Sequence, residues 1–189
     1  MSFSTLPLNR RKALSSLGLA GGALLANIPA LSAHSEDADE FAFLIGSWRV
    51  RHHRLKRRGA GDDRWDDFEG TCRAWPVLGG GANVDDNLLH APQGTYRAIS
   101  VRRKDRTTKL WSIWWLDERA HGFEPPVTGS FKDGVGFFYG DDSHEGKPIR
   151  VRFLWSDIGA RRARWEQAFS WDQEKHWEVN WVMQFEREA

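Results

Sequence analysis

Cysteine is nearly missing: Cys72 stands alone among 189 residues. One thiol excludes an intrachain disulfide and a zinc site built from several cysteines. No basic run that would activate a thiol adjoins Cys72, so it reads as a buried structural residue. A surplus of one charge is missing too, with 27 Lys+Arg against 26 Asp+Glu. The basic runs at 54–58, 102–106 and 161–164 are interrupted by the acidic pairs Asp62-Asp63 and Asp66-Asp67. They read as solvated rims, and no nucleic-acid partner is expected. Several motifs are absent. Gly79-Gly80-Gly81 lacks the spacing of a dinucleotide loop, and no Gly-x-Ser-x-Gly elbow occurs. Asp141-Asp142-Ser143-His144-Glu145 lacks calcium-loop spacing and reads as a solvated loop. What is present is ordinary globular composition, 40% hydrophobic and 28% charged. That excludes collagen-like, low-complexity and wholly disordered chains.

Residues 1–33 stand apart. They hold Arg10, Arg11 and Lys12, no acid, and an uncharged stretch from 13 to 31 that runs into Ser32 and Ala33. A basic start, an apolar middle and a small-residue end predict a cleaved signal peptide. The Arg10-Arg11 pair favours a twin-arginine signal over a Sec signal. The stretch contains Ser15, Ser16, Asn27, Pro29 and three Gly, so no retained membrane anchor is expected. Removing three cations and no acid leaves 24 Lys+Arg against 26 Asp+Glu, a charge of −2. The protein is therefore expected in the periplasm or secreted. Residues 34–40 read as a flexible leader, and residues 41–189 as one domain.

The remaining chain predicts ten strands, at 48–57, 65–75, 82–90, 96–104, 109–117, 127–131, 135–140, 149–156, 163–171 and 177–187. Gly, Pro and Asp clusters separate them and supply the backbone angles of tight turns. Only residues 38–45 look helical, for about two turns. The strands alternate with period two. In the last, Trp177, Val179, Trp181, Met183, Phe185 and Arg187 share a face. In the ninth, Trp165, Gln167 and Phe169 do. A sheet with one aromatic and one charged face must cover the aromatic one. Closing it into an all-β antiparallel up-and-down barrel does so and removes the edges.

The segment Phe41-Ala42-Phe43-Leu44-Ile45-Gly46-Ser47-Trp48 resembles the opening of lipocalins and other calycins. Asn83-Val84-Asp85-Asp86-Asn87, Gly94-Thr95-Tyr96-Arg97, Trp111 through Asp117 and Arg164 through Phe169 resemble an uncharacterised bacterial branch of calycins related to nitrobindins. The resemblance implies that Trp48 plugs the barrel floor and that a late arginine, here Arg187, packs on it. Strand parity independently puts Arg187 on the inner face, beside the first strand. Haem-binding relatives carry a Gly-rich opening followed by Tyr-Pro, which is not found here. No cofactor is therefore expected, with haem the alternative.

Eleven Trp stand out, and Trp111, Trp114 and Trp115 put indoles on both faces of one strand; large rings either fill a small barrel or wall an apolar cavity for a flat ligand. About ten strands enclose more volume than eight, which leaves room for a cavity. The chain reads as a carrier or sensor for a small apolar or aromatic molecule. Trp114, Trp165 and Trp181 would form its walls, and His52, Gln167 and Arg97 would orient the ligand. No metal ligands are assigned. The alternative is a metal-independent lyase, isomerase or hydratase, with His52 moving the proton and Arg97 holding an anionic group.

Overall fold

The computed structural model describes residues 39–188. The expected signal peptide and residues 34–38 of the leader lie outside them. The described chain begins with a 3-10 turn, Ala42–Leu44, and continues as β1 (Gly46–Leu55), β2 (Trp65–Val77), β3 (Ala82–Ala91), β4 (Gly94–Lys104) and β5 (Trp111–Asp117). The second half is β6 (Val127–Lys132), β7 (Val135–His144), β8 (Lys147–Ser156), β9 (Arg162–Ser170) and β10 (Glu178–Arg187). Each strand pairs antiparallel with the next, and β10 closes on β1. The expected closed ten-strand barrel is what forms.

Strand ends mostly shift by one or two residues, and two elements differ more. Of the helix expected at 38–45, the described residues form one 3-10 turn, because Ile45 is already extended and leads into β1. That single turn sends Phe41 and Leu44 into the core, where both are buried. The acidic segment from Asp141 to His144 is strand, not loop. Asp142 pairs with Ile149 and His144 with Lys147, and only Glu145 and Gly146 turn the chain. Both have positive φ, 50° and 74°, as a two-residue hairpin turn requires.

One end of the barrel is plugged. Trp48 is fully buried, and its indole N–H donates to the Leu44 carbonyl at 2.7 Å. The Arg187 guanidinium lies 4.1 Å from the Trp48 ring centre. It also donates to the carbonyls of Ala160, Ile45 and Phe43. Charged residues enter the wall nearby. Arg102 and Asp85 form a buried ion pair. Asp85 also accepts from the Asn87 side chain and the Ser100 backbone, and Arg102 donates to Asn83. A charge pair can stay buried only with such additional partners.

Candidate functional site

At the other end, where β1 finishes and β10 begins, the barrel opens into a cavity of about 220 Å³. Strand alternation builds its walls. Trp115 comes from β5, Val151 and Phe153 from β8, Trp165, Gln167 and Phe169 from β9, and Trp181 from β10. The rings meet edge to face. Trp165 lies 5.6 Å from Trp181, Trp115 lies 5.9 Å from Trp181, and Phe153 lies 4.8 Å from Trp165. Below, a separate void of about 30 Å³ borders Asn87 and Ser100 and is the size of a water molecule.

A bulge shapes one wall. Val179 pairs with Ala168 and Trp181 with Gln167, so Asn180 is an extra residue in β10. Its side chain is buried and accepts a hydrogen bond from Gln167 Nε2 at 2.8 Å. Asn180 Nδ2 in turn donates to the Glu178 carbonyl. This relay orients the Gln167 amide and leaves its Oε1 without a donor among the described residues. The bulge also reverses the parity before it. Trp177, expected to share the inner face with Trp181, instead packs on Tyr139 and Arg152. Parity read straight through β10 could not reveal this.

The expected site residues separate into three groups. Trp165, Gln167 and Trp181 line the cavity. His52 points inward but sits behind Trp181 and does not line it. Its ring stacks on Phe68 at 4.6 Å, and its Nδ1 accepts the Trp181 indole N–H at 3.2 Å. Gly70 leaves the room: a Cβ there would come within 2.9 Å of His52 Nε2 and 2.4 Å of the Leu88 carbonyl oxygen. Burial first, then the neighbouring Arg54 charge, lowers the His52 pKa to about 3. An imidazole that weakly basic takes up protons poorly near neutral pH, so it suits a structural role better than a general base.

Arg97 and Trp114 lie outside. On β4 the buried residues are Tyr96, Ala98, Ser100 and Arg102, so Arg97 faces solvent and pairs with Asp86. The expected face was inverted, because Ile99 and Val101 cover the outer surface while arginine and serine point inward. On β5, Trp111 and Ile113 are buried, which turns Trp115 inward and Trp114 outward. Trp115 therefore takes the place expected for Trp114.

The open rim was not anticipated. Arg54, Arg58, Arg119, Asp117, Glu124, Asp142 and His144 all line it. Arg119 is held by Asp117 and stacks on Tyr96. Arg54 donates to the Tyr96 hydroxyl at 2.8 Å and lies over the Phe68 and Trp181 rings. Arg58 lies over the Phe169 and Trp181 rings, 5.5 and 5.9 Å from their centres. Partial loss of water, then the charge of Arg54, lowers the Arg58 pKa to about 10, which keeps it cationic at neutral pH. Glu124 keeps solvent along one side. Loss of water on its other side, then the charge of Asp142, raises its pKa to about 7, while Arg58 opposes the rise. The signal in sequence is the run Arg54 to Arg58, whose interrupted charge reads as a solvated rim. Cys72, by contrast, is buried, and burial holds its thiol protonated.

The cavity of about 220 Å³ is below the roughly 300–1,000 Å³ typical of drug-sized ligand sites. Among the described residues His52 is the buried histidine, and its Nδ1 is engaged by Trp181.

Ten antiparallel strands closed in sequence order, plugged at one end and open at the other, define a calycin-like barrel. The chain is similar in structure to the S-type phycobiliprotein lyase of Guillardia theta, with a TM-score of 0.52. That match covers 79% of this chain and 90% of the lyase at 8% sequence identity, so the likeness is one of fold. No protein family and no curated protein matches the sequence.

Proposed function

We propose that this protein binds a small molecule with an apolar or aromatic body in the open end of the barrel, as a carrier or sensor. One observation carries the reading. Trp115, Phe153, Trp165 and Trp181 wall a cavity instead of filling it, and Gln167 Oε1 offers an unused acceptor in its wall. An acceptor in the cavity wall with no protein donor is free to take a ligand N–H or O–H, a bond worth roughly 0.5–1.5 kcal/mol net. The volume suits a one- or two-ring molecule, or the end of a longer one that stays partly outside. On the same reading, residues 1–33 export the protein and binding takes place in the periplasm or outside the cell.

The test is saturable quenching of tryptophan fluorescence by neutral two-ring probes such as 2-naphthol. Val151→Phe, which places a ring in the cavity, should abolish quenching while the circular dichroism of the barrel is retained. Unsaturable quenching, or quenching indifferent to Val151→Phe, would refute the proposal.

A further inference from the structure

Charged side chains crowd the rim and its surroundings, and several of them are matched. Arg119 is paired with Asp117. Asp141 and Glu174 pair with Arg150. Glu178 accepts the Gly59 backbone N–H. Two cations differ. Arg54 and Arg58 have no carboxylate within ion-pair distance among the described residues, and Arg58 makes no hydrogen bond there either. Both are half-buried and both border the cavity. A partly dehydrated guanidinium without an anion is unfavourable unless something else meets it. The rings of Phe169 and Trp181 lie beside Arg58 but offer it no hydrogen-bond acceptor. Its five N–H donors, in a planar fork, are left to point elsewhere.

We propose that the ligand carries a carboxylate, and that Arg58, seconded by Arg54, receives it at the mouth of the cavity. The inference rests on the binding function proposed above and adds the chemical class. A guanidinium fork matches a carboxylate in two parallel hydrogen bonds. Trp181 connects the two halves of the site, because it lies under both arginines and also walls the cavity. An aromatic acid would thus place its ring against Trp165 and Trp181 and its charge on Arg58. Phosphate is the other anion that arginine favours. Here Glu124 and Asp142 border the same mouth, and a dianion would meet stronger repulsion from them than a monoanion.

Titration calorimetry on the full chain with 2-naphthoate, its neutral isostere 2-naphthamide and 2-naphthyl phosphate separates the cases. Naphthoate should bind at least tenfold tighter than the amide and tighter than the phosphate. Arg58→Gln should remove that preference and leave amide affinity within twofold, which also shows that the cavity is intact. Arg58→Lys should retain part of the preference, and Arg97→Ala all of it. Equal binding of naphthoate and amide, or a preference that survives Arg58→Gln, sinks the carboxylate assignment and leaves the cavity reading standing. Preference for the phosphate reassigns the anion and overturns the carboxylate. If none of the three binds, both proposals fall.

Discussion

His52 shows how one residue can be legible in position and misleading in role. Alternation from Trp48 places it inward, and there it is. What the pattern does not contain is the company it keeps, a stacked phenylalanine and a tryptophan N–H from a strand 129 residues away. Those neighbours turn a candidate proton carrier into a neutral wedge. Its folded pKa of about 3 lies below the ordinary 6.5, so the neutral form is the one the fold prefers. The resulting stability is present above pH 6.5 and is lost as the pH falls toward 3. At about 1.4 kcal/mol per pKa unit, the loss reaches about 2 kcal/mol by pH 5. Urea midpoints of the wild type and His52→Gln, taken at pH 8 and pH 5, check this. The advantage of the wild type should shrink by that amount on acidification, and an unchanged difference would contradict it. Arg97 is the opposite case. Its residue type suited an anion site, but it faces outward onto Asp86, and the proposed anion contact falls to Arg58 and Arg54 instead.

At the scale of the element, the ten strands were readable because each is a period-two segment ended by turn residues. Two elements departed from that reading. In β4 both faces mix apolar and polar residues, so alternation names two faces without saying which is inside. In β10 the Asn180 bulge adds a residue, and parity before it no longer predicts parity after it. The loops at the open end carry the electrostatics. Glu124, between β5 and β6, has its pKa raised to about 7. Facing it are Arg58 from the β1–β2 loop, Arg54 from β1, Asp117 from β5, and Asp142 and His144 from β7. Above pH 7 Glu124 is charged and competes for Arg58, and below it the carboxyl is neutral. Affinity for 2-naphthoate should therefore rise between pH 8 and pH 6. Glu124→Gln should flatten that dependence. A steeper or unaltered profile in the variant would show that another group, such as His144, controls it.

The whole molecule depends on closure. β1 and β10 are the ends of the chain's ten-strand order, and their pairing makes a ring of what would otherwise be a curled sheet. Arg187 ties that seam to the 3-10 turn through three carbonyls and caps Trp48. A cation on an indole contributes about 0.5–2 kcal/mol, and hydrogen bonds from a charged donor about 1.5–3 each, not additively. Arg187→Ala should cost about 2–4 kcal/mol in the urea unfolding free energy. Arg187→Lys should recover less than half, since one ammonium cannot span the three acceptors. A loss under 1 kcal/mol would mean that strand pairing alone holds the seam.

The sequence by itself determined the strand count, their order around the ring, the closing pair and the arginine over Trp48. The first three follow from local alternation and turn chemistry; the arginine over Trp48 is what the resemblance to calycins implies, and the parity of the last strand agrees with it. Tertiary structure alone decided which side of β4 is inside, where β10 shifts by one residue, and which charges surround the opening. Those depend on contacts between residues far apart in the chain. A buried Arg102 is acceptable only because Asp85, Asn83, Asn87 and Ser100 meet across β3 and β4, and no pattern within β4 announces them.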